Sequence, residues 1–166
     1  MDVIVRYEMR SYMAVVCSPT ALCTALLKRI GVTHVLNAAQ GKERELSLVN
    51  TSPAFYRHAG IQFLGIEALD HVCFKLDNYF DKAANFIQKA LESGGKVLVH
   101  CRAGISRSAT LVIAFLMIKK GLSVQEALKT VRAKRAIIPN DGFLRQLCEL
   151  DDRLSLERSC NALTLM

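Results

Sequence analysis

The sequence has no Trp, only three Pro and nine Gly among its 166 residues, and it contains no internal repeat or low-complexity segment. A chain so poor in Pro and Gly is not collagen-like, and its 51% apolar content excludes the composition of disordered proteins. No apolar run reaches the ~18 residues that a membrane-spanning helix requires. The sequence therefore predicts one globular domain over residues 1–166, without a membrane span.

Paired cysteines are also missing, because the six Cys residues are irregularly spaced and none forms a C-x-x-C motif. Small disulfide-stabilised domains have denser spacing, and structural zinc sites need closely paired ligands. We therefore expect no disulfide framework, no metal ion and no other cofactor, and a reducing compartment, either the cytoplasm or the nucleus. The six are Cys17, Cys23, Cys73, Cys101, Cys148 and Cys160.

Acidic residues are in the minority, with 15 Asp and Glu against 22 Lys and Arg, which gives a formal net charge of +7. A positive net charge favours anionic partners such as nucleic acids, acidic lipids or phosphate groups. The basic residues are scattered and are not interleaved with aromatic residues, unlike those of a nucleic-acid-binding face. We therefore expect neither a nucleic acid nor a membrane as partner.

Short apolar runs alternate along the chain with segments of helical pattern. Continuous apolar runs are typical of strands covered on both faces, and strands that alternate with helices form parallel sheets. The sequence thus predicts an α/β fold, a mostly parallel central sheet of about four to five strands with helices on both faces. Strands are predicted at 32–36, 61–66 and 96–99, and helices at 20–30, 77–91, 106–120, from 123, and from 140 to about 154. The helix at 106–120 is nearly all apolar and is predicted to be buried, while residues 1–10 and 156–166 are expected to be loosely ordered.

Three of the helix starts have capping signals. Ser18 precedes Pro19, which suits the first position of a helix. Asp77 is a residue type that caps helix N-termini. Ser123 is followed three positions later by Glu126, the spacing of a capping box.

The most informative segment, VLVHCRAGISRSAT at residues 97–110, is typical of a strand, a tight loop and a helix. Five residues separate Cys101 from Arg107. The backbone N–H groups of residues 102–107 can surround a point above the Cys101 sulfur, because Gly104 permits the turn and the following helix directs its positive end there. Such a nest binds phosphate, and Arg107 can add a bidentate contact. The predicted phosphate-binding residues are Arg102, Ala103, Gly104, Ile105, Ser106 and Arg107.

The same positive environment favours the thiolate form of Cys101, which is the form that attacks phosphorus. Ser108 can donate a hydrogen bond that stabilises this sulfur as a leaving group, and His100 can support the loop through backbone hydrogen bonds. The competing interpretation of Cys101 is inert packing, because a buried Cys after a strand usually has no catalytic role. The full combination, an apolar strand, His-Cys, five residues, Arg-Ser and an apolar helix, favours the nucleophile.

The pattern H-C-x-x-G-x-x-R-S at residues 100–108 resembles the signature loop of the cysteine-dependent dual-specificity protein phosphatases. Flanking segments narrow the resemblance to the small atypical group related to the vaccinia phosphatase, and it covers about residues 31–154. It implies a catalytic domain that hydrolyses phosphotyrosine and phosphoserine or phosphothreonine through a phosphocysteine intermediate, without a cofactor. The flanking segments are GVTHVLNAAQG, AFYRHAGIQFLGIEALD, YFDKAANFI and IPNDGFLRQLCELDDRL.

The family also uses an Asp upstream of the loop as general acid, and Asp70 occupies the matching position. Such a residue protonates the departing oxygen and then activates the water that hydrolyses the intermediate. Two other carboxylates are its rivals. We interpret Asp77 as a helix cap and Asp81 as exposed helix surface.

Two further positions match the family by resemblance. Arg135 corresponds to an arginine that contributes a second, shallower anion pocket, and Asn140 to a residue that braces the signature loop. Each has a simpler alternative: a solvated surface charge for Arg135 and a plain helix cap for Asn140.

The loop departs from that of a member of this group which the chain resembles, and which has Glu and Tyr at the positions of Ala103 and Ile105. The segment AGISRSAT is instead similar to the MAP-kinase phosphatases. Phosphorylated proteins, with MAP kinases among the candidates, are therefore the expected partners. The sequence predicts no particular oligomeric state.

Two other functions remain open alongside this one. The first is a catalytically weak module that binds phosphoproteins, and the presence of Cys101, Arg107 and Asp70 argues against it. The second is a phosphatase for phosphoinositides or RNA 5′ phosphates, whose loops often carry extra lysines. Arg102 is the one basic residue among the variable loop positions here.

Overall fold

The fold is built on a five-stranded sheet with the order β1-β2-β5-β3-β4. A computed structural model describes residues 3–6 and 12–164 of the chain. Strand β1 pairs with β2 in antiparallel orientation, and the other four strands are parallel. The strands are β1 (Val3–Arg6), β2 (Tyr12–Val16), β3 (His34–Asn37), β4 (Gln62–Gly65) and β5 (Lys96–His100).

Helices cover both faces of this sheet, which confirms the predicted α/β fold. In chain order they are α1 (Ser18–Leu22), α2 (Thr24–Arg29), α3 (Pro53–Arg57), α4 (Phe80–Glu92), α5 (Arg107–Lys120), α6 (Val124–Arg132) and α7 (Asp141–Thr164). A 3₁₀ turn at Leu76–Tyr79 precedes α4. The parallel strands place their carboxyl ends at one edge of the sheet, the edge at which open α/β sheets bind ligands.

Alternate residues of strands β2 to β5 enter two separate hydrophobic cores. In β5, Val97 and Val99 face the larger core formed with α4 to α7, whereas Leu98 faces the smaller core formed with α1 to α3. This follows from the two-residue period of a strand. Because both faces are covered, the strands need no polar face, which explains their continuous apolar runs.

Helix α5 lies at the centre of the larger core, as its sequence predicts. All residues from Arg107 to Met117 are buried, and the helix packs against α4, α6, α7 and β5. It ends at Gly121, whose φ of +69° is the left-handed conformation favoured at helix C-termini. Because its first turn is buried, α5 holds the side chains of Arg107 and Ser108 in fixed positions next to the loop that precedes the helix.

Two of the predicted helix starts are wrong, and the third is confirmed. Ser18 is already helical, so Cys17 is the N-cap of α1. Asp77 lies in the 3₁₀ turn, and α4 begins only at Phe80. Asp77 Oδ1 has no hydrogen-bond partner among the described residues, so this side chain caps no helix. Ser123 and Glu126 form the capping box.

The sequence did not predict every element. The helix predicted at 20–30 is split at Cys23, whose N–H bonds back to Thr20 in a tighter turn, and strands β1 and β2 and helix α3 were not predicted at all. The two ends that the sequence predicts to be loosely ordered contain β1 and the last part of α7, which continues to Thr164. The other residues of 1–10, and residues 165–166, lie outside the described residues. No helix within 3–6 and 12–164 combines the length and the apolar character needed to cross a membrane.

Candidate active site

The loop between β5 and α5 wraps around the sulfur of Cys101, which is 1% exposed. The Gly104 backbone N–H donates to this sulfur over 3.3 Å, and the Ser108 hydroxyl lies 3.2 Å from it. Gly104 has a φ of +71°, and a Cβ there would lie 2.5 Å from the carbonyl oxygen of Val16. Glycine is therefore required by both the turn and the close approach of β2.

Arg107 is buried, with 1% of its surface exposed, although its guanidinium is charged. Its Nη1 donates to the carbonyl of Ala68 over 3.0 Å and its Nη2 to the carbonyl of Ser47 over 3.1 Å. Its Nε lies 3.5 Å from Asp70 Oδ2, an ion-pair distance, but has no hydrogen-bond partner among the described residues. Leaving a buried N–H donor without a hydrogen bond costs free energy. An anionic ligand could accept that hydrogen bond from Nε.

Asp70 lies in the loop after β4 and reaches across to the phosphate loop. Its Oδ1 accepts hydrogen bonds from the Ser106 hydroxyl over 2.7 Å and from Asn140 Nδ2 over 2.9 Å. Its Oδ2 faces Arg107, and 35% of the side chain is exposed. The structure therefore places Asp70 against the phosphate loop, in contact with Ser106 and Arg107.

Asn140 fills both of the roles that the sequence left open. Its Oδ1 accepts from the Phe143 backbone N–H over 3.0 Å, the geometry of a cap at the start of α7. Its Nδ2 binds Asp70, and its backbone N–H donates to the Ser106 hydroxyl over 3.3 Å. Asn140 thus links α7, the Asp70 loop and the phosphate loop.

His100 is fully buried at the end of β5, directly before Cys101. Its Nδ1 lies 3.2 Å from the carbonyl oxygen of Cys101, while its Nε2 has no hydrogen-bond partner among the described residues. Burial lowers the pKa of His100 to about 4 and outweighs the opposing effect of the Cys101 carbonyl. The imidazole is therefore neutral at physiological pH and adds no charge to the site.

Arg135 lies against the outer side of the loop, between α6 and α7. Its Nε donates to the Gly104 carbonyl over 2.8 Å and its Nη2 to the Ala103 carbonyl over 2.9 Å. The neighbouring Ile138 N–H donates to the Ile105 carbonyl over 3.0 Å. These contacts engage the carbonyls of three consecutive loop residues, while the Gly104 N–H of the same loop donates to the Cys101 sulfur.

Two residues of α7 support the site, and sequence reasoning missed both. Gln146 is 6% exposed; its Nε2 donates to the Phe74 carbonyl over 2.8 Å and its Oε1 accepts from the Asp77 N–H over 2.9 Å. A Cβ at Gly142 would lie 1.9 Å from the carbonyl oxygen of Val72. The available signal was a polar Gln within an otherwise apolar helix face. Both residues fix the segment that follows Asp70.

The other carboxylates considered as acids lie elsewhere. Asp77 contacts α7 through its backbone, and Asp81 is exposed in the first turn of α4. Within residues 3–6 and 12–164 there is also no group of three or more His, Cys, Asp or Glu side chains placed to hold a metal ion.

Comparison with known proteins identifies related sequences over most of the chain. The family model described as dual specificity phosphatase, catalytic domain, matches residues 14–153. The dual specificity protein phosphatase 26 of Homo sapiens is 50% identical over 129 residues, which are 77% of this chain and 58% of that protein. The dual specificity protein phosphatase 13B of Homo sapiens is 51% identical over 132 residues, 79% of this chain and 65% of that protein. The chain thus spans about three fifths of the length of these relatives.

Solved structures share the same fold. The crystal structure of human DUSP28 has a TM-score of 0.73 and 27% identity, and the match covers 92% of this chain and 95% of that one. The crystal structure of DUSP15 has a TM-score of 0.71 and 28% identity, with 89% and 86% covered.

Proposed function

The chain belongs to the family of dual specificity phosphatase catalytic domains, and from this premise we propose that it hydrolyses phosphotyrosine and phosphoserine or phosphothreonine in proteins. The observation that carries the proposal is the arrangement of three groups around one loop. They are the Cys101 sulfur, the Arg107 guanidinium and the Asp70 carboxylate, the last two 3.5 Å apart. We further propose that residues 1–166 form one catalytic domain of this kind.

In the first step, the thiolate of Cys101 attacks phosphorus, and the bond from phosphorus to the substrate oxygen breaks. The transition state carries its charge on three equatorial oxygens. The loop N–H groups and Arg107 Nε stabilise that charge where it develops. The carbonyls of Ala68 and Ser47 hold the guanidinium in place for this contact, so little reorganisation is needed.

Asp70 supplies the proton that the leaving oxygen takes up. Its Oδ1 already accepts two hydrogen bonds, from Ser106 and Asn140, so Oδ2 is the oxygen that carries the proton. A phosphate bound to Arg107 Nε replaces the present contact between Nε and Oδ2, which frees Oδ2 to face the leaving group. This is general acid catalysis.

In the second step, water attacks the phosphocysteine, and Asp70 takes a proton from that water. The bond between sulfur and phosphorus breaks, and inorganic phosphate is released. The departing Cys101 thiolate accepts hydrogen bonds from the Gly104 N–H and the Ser108 hydroxyl. These two donors stabilise sulfur as the leaving group.

The proposed substrates are phosphorylated proteins, with MAP kinases among them, in the cytoplasm or nucleus. We also propose that Arg135 contributes a second anion pocket, because its guanidinium lies at the outer edge of the loop while it binds the Ala103 and Gly104 carbonyls. Arg135→Ala should weaken kcat/KM for doubly phosphorylated peptides more than for singly phosphorylated ones. If Arg135→Ala lowers kcat/KM equally for doubly and singly phosphorylated peptides, Arg135 only supports the loop and forms no second anion pocket.

The activity itself is tested with an aryl phosphate in the presence of a metal chelator. The wild-type chain should release phosphate, and Cys101→Ser should abolish turnover because a hydroxyl stays protonated. Arg107→Lys should be nearly as damaging, because an ammonium group lacks the planar arrangement of donors that binds the Ala68 and Ser47 carbonyls while Nε faces the phosphate. Phosphothreonine and phosphotyrosine peptides then test dual specificity. Full activity of Cys101→Ser would refute the proposal.

A further inference from the structure

A groove of about 820 Å³ lies directly beside the phosphate loop, between α1 and the segment that follows β3. Arg102 and Ala103 of the phosphate loop form part of its wall. The basic residues Lys42 and Arg44 line the groove on the side of the β3 segment. Apart from Arg102 and Ala103, which also belong to the phosphate loop, no residue of this groove takes part in the proposed reaction.

Both walls of the groove are tied to the catalytic loop by hydrogen bonds. On one side, the Ser18 N–H at the start of α1 donates to the Arg102 carbonyl over 3.0 Å. On the other side, the segment that carries Lys42 and Arg44 supplies the Ser47 carbonyl, which accepts from Arg107 Nη2 over 3.1 Å. A ligand in the groove is therefore next to the phosphate that Arg107 binds.

The segment with the two basic residues is also fixed to the sheet. The buried Asn37 at the end of β3 donates from Nδ2 to the Val49 carbonyl over 2.9 Å, and the Ser47 N–H bonds to the Arg44 carbonyl over 3.0 Å. Ser47 has a φ of +58°, an unusual conformation for a residue other than glycine. The positions of Lys42 and Arg44 along this wall are thus set by the fold.

The charge of the groove has one sign. Lys42, Arg44 and Arg102 are exposed, and none of the three side chains forms an ion pair or hydrogen bond with another residue of the described chain. No acidic side chain is among the described residues that line the groove. Three cations without a partner around a concave surface attract an anionic ligand.

We propose that this groove is a substrate subsite that binds an acidic or phosphorylated residue close in sequence to the phosphorylated residue being hydrolysed. The proposal rests on the proposed function and adds a preference for acidic phosphopeptides. The lining of the groove also includes Pro19, Leu22 and Leu48, so it offers apolar contact to the neighbouring side chains of a peptide. A polyhydroxylated inositol ring would gain nothing from such apolar side chains.

The test compares two phosphotyrosine peptides, one flanked by Glu and phosphothreonine and one flanked by Gln and Ala. The double variant K42Q/R44Q should lower kcat/KM for the acidic peptide by roughly three- to tenfold, the scale of two exposed ion pairs. It should change kcat/KM for the neutral peptide and for para-nitrophenyl phosphate by less than about twofold. The loss should shrink as added salt screens the charges.

The matched control is K28Q/R29Q, which removes the same two charges at the end of α2. That position precedes β3 and lies at the opposite edge of the sheet from the site. This control should have no selective effect on the acidic peptide. Equal losses for acidic and neutral peptides in K42Q/R44Q, or equal effects of both double variants, would overturn the subsite.

Binding measurements separate this proposal from the proposed function. The affinity of Cys101→Ser for the acidic peptide, measured by calorimetry, should fall by the same three- to tenfold factor when K42Q/R44Q is added. This fall in affinity is expected whether or not the wild-type chain hydrolyses the peptide. A lack of hydrolysis therefore refutes only the proposed enzymatic function and not the subsite. The same affinity measurement is made with phosphatidylcholine vesicles that contain phosphatidylinositol 3-phosphate and with a 5′-phosphorylated RNA. If K42Q/R44Q lowers the affinity for one of these ligands and not for the peptide, the peptide subsite is refuted.

Discussion

At the scale of single residues, the two oxygens of Asp70 have different surroundings. Oδ1 is held by Ser106 and Asn140, whereas Oδ2 faces Arg107 Nε, a buried donor without a hydrogen-bond partner in the described chain. In the mechanism proposed for this site, this asymmetry assigns one oxygen to positioning and the other to proton transfer. A phosphate bound at Arg107 Nε would take the place of Oδ2 there, which would release the acid.

The role of Asp70 can be tested by changing the leaving group. Asp70→Asn should lower kcat/KM for phosphothreonine peptides by roughly 10²–10⁴-fold, because a departing alkoxide needs a proton. The loss should be smaller for para-nitrophenyl phosphate, whose leaving group departs as a stable anion. Steady-state kinetics on both substrates checks this. The control Asp81→Asn, on the exposed surface of α4, should leave kcat/KM for both substrates unchanged. If Asp70→Asn lowers kcat/KM equally for both substrates, Asp70 is not the general acid.

The buried His100 predicts a pH dependence of stability. Its folded pKa of about 4 lies below the ordinary value of 6.5, so between these values the unfolded chain binds a proton that the folded chain does not. The free energy of unfolding should therefore fall as pH falls through this range, by up to about 3 kcal/mol from this residue. Urea unfolding at several pH values should show a flatter profile for His100→Gln. His58→Gln, at an exposed residue, should keep the wild-type slope.

At the scale of secondary-structure elements, the phosphate loop is supported from three sides. Strand β2 approaches Gly104 through the Val16 carbonyl, the α6–α7 connection binds loop carbonyls through Arg135, and the start of α7 binds the Asp70 loop through Asn140. The catalytic groups are thus held by elements far apart in sequence. Small displacements of α7 should therefore affect Asp70 more than Cys101.

Gln146 on α7 provides the test of this statement. Gln146→Leu removes both hydrogen bonds to the segment after Asp70 and leaves two backbone groups without partners, which should cost about 1–3 kcal/mol of stability. If Gln146 positions Asp70, kcat on phosphothreonine peptides should fall more than kcat on an aryl phosphate, with KM little changed. The matched control is Gln88→Leu, because Gln88 bonds Glu92 on the same helix α4. A loss of stability with an unchanged ratio of the two activities would make Gln146 purely structural.

The elements also differ in how far the sequence predicted them. Strands β3, β4 and β5 and helix α5 have local patterns that fixed their type, and Gly104 marked the turn between β5 and α5. Strand β2 was missed because its apolar residues run directly into those of α1, so no change of period separates the two. The end of α7 was missed because residues 155–160 are exposed and give no apolar stripe.

At the scale of the whole molecule, the site lies at the carboxyl edge of the four parallel strands. Cys101 follows β5, Asp70 follows β4, the Ser47 segment follows β3, and α1 follows β2. Topology therefore brings together groups that no local motif connects. The loop from Cys101 to Arg107 could be predicted because it is contiguous, whereas Asp70 required a family resemblance.

The contacts that backbone atoms make in the site could not be predicted from the sequence. The carbonyls of Ser47 and Ala68 orient Arg107, but every residue has a carbonyl, so only the fold selects these two. Asn140 and Gln146 act through long-range contacts that likewise depend on how α7 packs. The sequence therefore predicted Cys101 as the nucleophile and the loop after it as the phosphate site, and the structure shows the contacts that hold these residues in place.

The most direct test of the whole account is to locate the transferred phosphate on the protein. Asp70→Asn should form the intermediate with para-nitrophenyl phosphate but hydrolyse it slowly, because the base that activates water is missing. Rapid quenching, proteolysis and mass spectrometry should then find phosphate on Cys101, and none in Cys101→Ser. Phosphate on Ser106 or Ser108, or turnover continuing with no phosphorylated peptide from this loop, would contradict the account.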